Sequence, residues 1–152
     1  MDTVPERRGV TVPYRSVTNF LERHVVLPAI NPAVYQLAAI AASLAYLYID
    51  STWGKAALVA FILLTDWLDG ATARQQRGKT REGYLMDVTI DRASEMLIFA
   101  GEAGTPLGNV FFLLTLANIG LAYYSLRSGK HTSLPLRCAW LGVLILGGVG
   151  WG

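Results

Sequence analysis

The sequence contains few charged side chains: Asp, Glu, Lys and Arg make up 16% of its 152 residues, against about a quarter in a typical soluble domain. Hydrophobic residues make up 53% and the mean hydropathy is +0.37, which excludes a disordered or fibrous chain. A soluble domain of this size could not bury so much apolar surface in one core. We therefore expect an integral membrane protein.

Cysteine is nearly absent, and the N-terminal region lacks the features of a secretory signal. Cys138 has no second cysteine to pair with, so the redox compartment stays open. Charged residues such as Arg15, Glu22 and Arg23 interrupt the apolar stretch that such a signal requires. Residues 1–30 are instead expected to form a cytoplasmic amphipathic segment with an interfacial helix at 17–27, an ordinary solvated helix being the alternative.

Five apolar stretches are candidates for helices across a bilayer, which takes about 20 residues per crossing. They lie at about 32–49, 56–64 with a polar extension past Asp66, 83–100, 110–126 and 138–151, with connections at 50–54, 75–82, 101–109 and 127–137. Asn31 and Pro32 provide a side-chain cap and a first residue for the first helix. Residues 31–152 are therefore predicted to form one all-α transmembrane domain, a helical bundle with five spans.

The distribution of Lys and Arg predicts the orientation in the membrane. These residues concentrate in the N-terminal segment and in the connections at 74–82 and 127–137, while the other two connections carry only Lys55. Lys and Arg favour the cytoplasmic side of short loops. The N-terminus and both basic connections are therefore expected on the cytoplasmic side.

Four aspartates lie near the cytoplasmic ends of two neighbouring apolar helices, where each would cost up to about 3 kcal/mol if uncompensated at the bilayer centre. Asp66 and Asp69 share one face of the second helix, and Asp87 and Asp91 share a face of the third. A short connection makes the two helices antiparallel and brings these faces together. Carboxylate oxygens in a wet site select Mg²⁺ or Mn²⁺, and two such ions are suited to holding a diphosphate.

The same two faces carry residues with almost no side chain, Gly70, Ala73 and Gly83, which leave space for a ligand beside the acids. Residues 66–91, DWLDGATARQQRGKTREGYLMDVTID, resemble the CDP-alcohol phosphotransferase signature D-x-x-D-G-x-x-A-R, eight residues, G-x-x-x-D-x-x-x-D at all eight fixed positions. The structural alternative, a solvated acidic loop, fits poorly because the acids are in phase with apolar helices.

The resemblance implies a role for each signature residue. Metal binding, by two Mg²⁺ or Mn²⁺ ions, is expected from Asp66, Asp69, Asp87 and Asp91, with Asp91 also the catalytic base for the incoming hydroxyl. The nucleotide is expected to contact Asp66, Asp69, Gly70, Ala73, Arg74 and Gly83. The implied reaction is attack by a polar alcohol on the lipid-side phosphorus of a CDP-linked lipid, with release of CMP.

The acceptor is expected to bind through a basic cluster formed by Arg127, Lys130 and Arg137, because Arg can hold a phosphate with two hydrogen bonds. The alternative is that these residues have no role in binding and lie there only because Lys and Arg favour the cytoplasmic side of a membrane protein. The residues DRASE from Asp91 resemble the inositol-phosphate-transferring members, which favours inositol phosphate. The stretch GKHTSLPLR resembles an element of the glycerophosphate-transferring members, so glycerol phosphate is the alternative.

The resemblance also implies a homodimer in contact with membrane lipids, with no nucleic-acid partner. Members usually have six spans, whereas five are predicted here. We therefore expect either that the sequence is a piece of a longer protein, or that the sixth helix is dispensable or supplied by a partner. Membrane prenyltransferases also use Asp-rich motifs, but they need more spans than this length allows. A non-catalytic divalent-cation carrier or scaffold remains the other alternative.

Overall fold

The computed structural model describes residues 6–7, 30–76, 81–128, 130–131 and 133–150, without the side chains of 6–7, 73–74, 76, 81, 130–131 and 149–150. The helix expected at 17–27 lies outside these residues. Within them, the chain forms five helices: α1 (Pro32–Tyr46), α2 (Thr52–Gln76), α3 (Arg81–Gly101), α4 (Pro106–Ser128) and α5 (Leu136–Gly150). The all-α class is confirmed, except for an unpredicted parallel pair of two-residue strands, β1 (Glu6–Arg7) and β2 (Lys130–His131).

Helix α1 begins where the sequence predicts and ends earlier. The side chain of Asn31 accepts a hydrogen bond from the backbone N–H of Ala33 at 3.1 Å, so it caps the helix that Pro32 opens. The helix ends at Tyr46 rather than at residue 49, because the N–H of Leu47 bonds to the carbonyl three residues before it and tightens the last turn.

The connections are shorter than predicted because the flanking helices continue into them. The turn expected at 50–54 is wrong in part: α2 already begins at Thr52, and the hydroxyl of Ser51 accepts from the N–H of Gly54 at 3.4 Å. Helix α2 runs unbroken past Asp66 to Gln76, and α3 begins at Arg81. The connection predicted at 75–82 is therefore wrong at its two ends, because residues 75–76 and 81–82 are helical.

One helix of the described residues, Pro106–Ser128, is by its length and apolar composition able to cross a membrane alone. Its first turn is fixed by Thr105, whose hydroxyl accepts from the N–H of Gly108 at 3.0 Å. Pro32–Tyr46 and Leu136–Gly148 are shorter apolar helices. The coarse prediction of a helical bundle is therefore confirmed, whereas five membrane crossings remain a prediction.

Helices α3, α4 and α5 each contribute one ring to an aromatic centre of the bundle. The rings of Phe99 and Trp140 are 5.6 Å apart in an edge-on arrangement, and Phe111 lies 5.0 Å from Trp140. Buried hydroxyls of Ser43 and Ser94 join α1 to α3 through a 2.7 Å hydrogen bond. These contacts join α3 to α1, α4 and α5.

Candidate functional site

Helices α2 and α3 bring three of the four signature aspartates together. One carboxylate oxygen from each of Asp66, Asp87 and Asp91 lies within 4.8 Å of the others, and all three side chains are partly buried. Asp87 and Asp91 project from the same face of α3 because they are one helical turn apart. Three converging carboxylate oxygens are a donor set that suits a hard divalent cation such as Mg²⁺ or Mn²⁺.

The guanidinium of Arg137 reaches this acid cluster (Asp66, Asp87 and Asp91) from the first turn of α5. Its Nη2 donates to Oδ2 of Asp66 and to Oδ1 of Asp91, both at 2.6 Å. Arg137 is only 6% exposed. Its Nη1 is also buried and has no hydrogen-bond partner among the described residues. The site therefore offers a buried cationic donor that could bind an anion next to the acids.

The fourth signature aspartate, Asp69, does not join the acid cluster. It is 5% exposed, and its Oδ2 accepts a hydrogen bond from Nε2 of Gln36 at 2.9 Å. Gln36 is itself buried in α1, so this contact joins the first helix to the acidic end of α2. A buried carboxylate needs such a donor, since an unpaired charge is costly to bury.

A second buried carboxylate, Glu95, lies one turn after Asp91 on α3 and is 2% exposed. Its Oε2 accepts from Nη1 of Arg92 at 2.7 Å and from Nδ2 of Asn118 at 3.2 Å. Its Oε1 is 4.0 Å from Nε of Arg137. Glu95 therefore extends the charged network from the acid cluster towards α4.

The structure describes the positions of only some of the side chains that are expected to contact a nucleotide. Gly70 is partly buried in α2, and Gly83 is exposed near the start of α3. Ala73 and Arg74 belong to α2, but their side chains lie outside the described ones, so the roles expected of them stay predictions.

The three residues expected to bind an acceptor phosphate also differ in position. Arg137 alone among the described side chains of this set contacts the acid cluster. Arg127 is exposed in the last turn of α4, with its guanidinium carbon 5.5 Å from the ring centroid of Tyr123. The side chain of Lys130 lies outside the described ones. Of the described side chains in the predicted basic cluster, that of Arg137 therefore contacts the acid cluster.

Sequence reasoning missed the polar residues that support the acids: Gln36, Arg92, Glu95 and Asn118. Each is a polar or charged residue within a helix that is otherwise largely apolar. Polar residues in such helices usually face the interior of the bundle and pair with one another. That signal would have marked these positions, although it would not have identified their partners.

Comparison with known proteins relates this chain to a family. The profile of the CDP-alcohol phosphatidyltransferase family matches residues 31–142. A phosphatidylinositol phosphate synthase of Mycolicibacterium smegmatis is 38% identical over 87 residues, which are 57% of this chain and 39% of that protein. A CDP-diacylglycerol–glycerol-3-phosphate 3-phosphatidyltransferase of Arabidopsis thaliana is 27% identical over 117 residues, 72% of this chain and 50% of that protein. The chain thus spans half or less of each of these relatives.

Crystal structures of the phosphatidylinositol phosphate synthase of Mycobacterium tuberculosis have a similar fold. The structure with CDP-DAG bound has a TM-score of 0.58 at 26% identity and covers 93% of this chain and 76% of that one. The structure in complex with manganese and citrate has a TM-score of 0.52 at 27% identity and covers 78% of this chain and 59% of that one. The relationship therefore extends to most of the bundle.

Proposed function

The chain belongs to the CDP-alcohol phosphatidyltransferase family, and we propose that it transfers a phosphatidyl group from CDP-diacylglycerol to inositol phosphate, releasing CMP. The observation that carries this proposal is the convergence of Asp66, Asp87 and Asp91 at the buried guanidinium of Arg137. Transfer between two phosphate-bearing substrates requires positive charge at both phosphates. Carboxylates that hold divalent cations can provide it at one of them, and a neighbouring arginine at the other.

The metal assignment rests on the chemistry of the donor set. The carboxylates of Asp66, Asp87 and Asp91 fit Mg²⁺ or Mn²⁺, and Asp69 is proposed as a further ligand of a two-ion site. Manganese in the crystal structure of the M. tuberculosis relative supports this choice. Two bound divalent ions would supply the positive charge that neutralises the diphosphate as its phosphorus is attacked.

Asp91 is proposed as the base that activates the acceptor hydroxyl. Its Oδ1 already accepts a hydrogen bond from Arg137, whereas its Oδ2 lies 4.0 Å from Nη2 of Arg92. We therefore propose that Oδ2 takes up the proton. The acceptor oxygen forms a bond to the lipid-side phosphorus while the bond from that phosphorus to CMP breaks. The hydroxyl proton moves to Asp91 and CMP leaves with the bonding electron pair.

Binding of the nucleotide and of the acceptor is proposed on opposite sides of Asp91. Gly70, Ala73, Arg74 and Gly83, together with Asp66 and Asp69, are proposed to hold the cytidine and its phosphates. Arg137 is proposed to bind the acceptor phosphate through Nη1, the buried donor without a protein partner among the described residues, with Arg127 and Lys130 attracting the anion. Inositol phosphate is favoured because the M. smegmatis relative is a phosphatidylinositol phosphate synthase.

We further propose that the five helices cross a membrane with the acid cluster and the N-terminus on the cytoplasmic side. Large apolar side chains on three helices support this, because Leu37, Leu113 and Leu146 are 74%, 64% and 76% exposed. Lipid tails would cover surfaces that are too apolar for water. A homodimer and an interfacial segment at residues 1–30 complete the proposed arrangement.

Glycerol phosphate is the second candidate acceptor, since the A. thaliana relative is a glycerol-3-phosphate phosphatidyltransferase. The test supplies the purified protein with CDP-diacylglycerol, Mn²⁺ and one labelled acceptor at a time: inositol phosphate, glycerol phosphate, inositol or serine. We expect label from inositol phosphate to enter lipid with one CMP released per lipid formed. Label from free inositol or serine would overturn the proposal, and Mn²⁺ binding without any CMP release would favour a cation carrier.

A further inference from the structure

Glu95 is a buried carboxylate that is surrounded by polar and charged side chains. It is 2% exposed, and burial of a carboxylate is costly unless the charge is paired and hydrogen-bonded. Arg92 and Asn118 donate to its Oε2 at 2.7 and 3.2 Å, and Nε of Arg137 approaches Oε1 to 4.0 Å. These partners suit a residue that holds other side chains in place.

Asn118 fixes the polypeptide just before Arg137. This residue is 0% exposed in α4. Its Nδ2 donates to the carbonyl of Leu134 at 3.1 Å, and its Oδ1 accepts from the N–H of Leu134 at 2.9 Å. Leu134 stands three residues before Arg137 in the chain. A pair of hydrogen bonds to one residue restrains both its position and its orientation, so Asn118 anchors the entry to α5.

Both restraints act on Arg137. Asn118 holds the backbone at Leu134, three residues before Arg137. Glu95 lies 4.0 Å from Nε of Arg137, whose Nη2 bonds to Asp66 and Asp91. An arginine has many rotamers, so a guanidinium that is fixed in advance loses less freedom when it binds a ligand. We infer that Glu95 and Asn118 are positioning residues that hold Arg137 ready for the acceptor phosphate. This inference rests on the proposed function.

The first test separates the two substrates kinetically in Glu95→Gln, with Ser94→Ala as the matched control. Ser94 precedes Glu95 on α3, is equally buried, and pairs with Ser43 instead. Glu95→Gln is expected to raise KM for inositol phosphate about tenfold and to leave KM for CDP-diacylglycerol within about twofold. Ser94→Ala is expected to keep both KM values within about twofold. Equal increases for both substrates in Glu95→Gln would overturn the inference.

The second test asks whether Glu95 acts through Arg137. Arg137→Lys keeps the positive charge but removes Nε, the atom beside Glu95. In that background, Glu95→Gln is expected to change KM for inositol phosphate by less than about twofold. Independent effects that multiply in the double variant would contradict the role assigned to Glu95.

A third measurement does not depend on turnover. Unfolding temperatures in detergent are recorded for the wild type, Glu95→Gln, Arg137→Lys and the double variant. A double-variant shift that departs from the sum of the single shifts would support the coupling, whereas an additive shift would overturn it even in an inactive protein. If the wild type releases no CMP but the shifts in unfolding temperature of the variants are non-additive, only the proposed function is contradicted.

Discussion

A single nitrogen of Arg137, Nη2, lies 2.6 Å from a carboxylate oxygen of Asp66 and 2.6 Å from one of Asp91. Arg137 lies 71 positions after Asp66 and 46 positions after Asp91 in the chain, so the contact joins α5 to both acidic helices, α2 and α3. One buried cation thus balances part of the negative charge of two neighbouring acids. The contact also places the guanidinium that we propose to bind the acceptor phosphate beside the proposed base.

Replacement of Arg137 by glutamine is expected to impair both folding and turnover. Glutamine cannot balance the charges of Asp66 and Asp91, so the free energy of unfolding should fall by about 1–3 kcal/mol. CMP release should fall on the order of 100-fold. Unfolding in detergent and CMP assays measure the two effects. Arg137→Lys, which keeps the charge, should lose less of both, and an equal loss would argue against charge as the cause.

Asp91→Asn is expected to abolish turnover while largely preserving CDP-diacylglycerol binding. Asparagine can still accept the hydrogen bond from Arg137, but it cannot take up the hydroxyl proton. Turnover is followed by CMP release, and binding by equilibrium titration. Asp50→Asn is the control, because Asp50 is exposed between α1 and α2. A rate near that of the parent in Asp91→Asn would remove Asp91 from the role of base.

The sequence predicts those parts of the structure that depend on local chemistry. The start of α1 follows from Asn31 and Pro32, and the convergence of Asp66 with Asp87 and Asp91 follows from helical periodicity and a short connection. Helix ends are less predictable, since α2 and α3 both extend into the polar connection between them. Charged residues can continue a helix as well as leave it.

Long-range partners could not be predicted, because they depend on how the helices pack. The sequence indicates Asp69 as a metal ligand, but it does not indicate the hydrogen bond that Oδ2 of Asp69 accepts from Gln36 on α1. Arg137 was assigned to the acceptor phosphate on charge alone, and the structure adds its hydrogen bonds to two acids. Contacts between residues distant in sequence follow from tertiary packing, which periodicity within one helix does not determine.

Gln36→Leu is expected to destabilise the protein by about 1–3 kcal/mol, because it removes the side chain that donates to the buried carboxylate oxygen Oδ2 of Asp69. If Asp69 also binds metal, the affinity for Mn²⁺ should fall, since its carboxylate would lose its fixed orientation. Unfolding in detergent and Mn²⁺ titration measure these effects. Leu37→Ala is the control because Leu37 is 74% exposed. Equal behaviour of the two variants would contradict the role given to Gln36.

Tyr46→Phe is expected to lower stability without changing the kinetic constants of the remaining folded protein. The Tyr46 hydroxyl donates to Glu102 at 2.6 Å and accepts from Nε1 of Trp140 at 2.9 Å. Its removal leaves the buried indole N–H unpaired, which should cost about 1–3 kcal/mol. Tyr48→Phe, at a residue that is 84% exposed, should be neutral in the same unfolding assay. A stable Tyr46→Phe protein would show that the hydroxyl contributes nothing to stability.

The most direct test of the acid cluster is Mn²⁺ binding followed by electron paramagnetic resonance, in the wild type and in Asp66→Asn, Asp87→Asn and the control Asp50→Asn. Because one oxygen from each of Asp66, Asp87 and Asp91 lies within 4.8 Å of the others, loss of either carboxylate should weaken binding by about tenfold or more. Asp50→Asn should bind as the wild type does. Unchanged affinity in both cluster variants would contradict a divalent-cation site between α2 and α3.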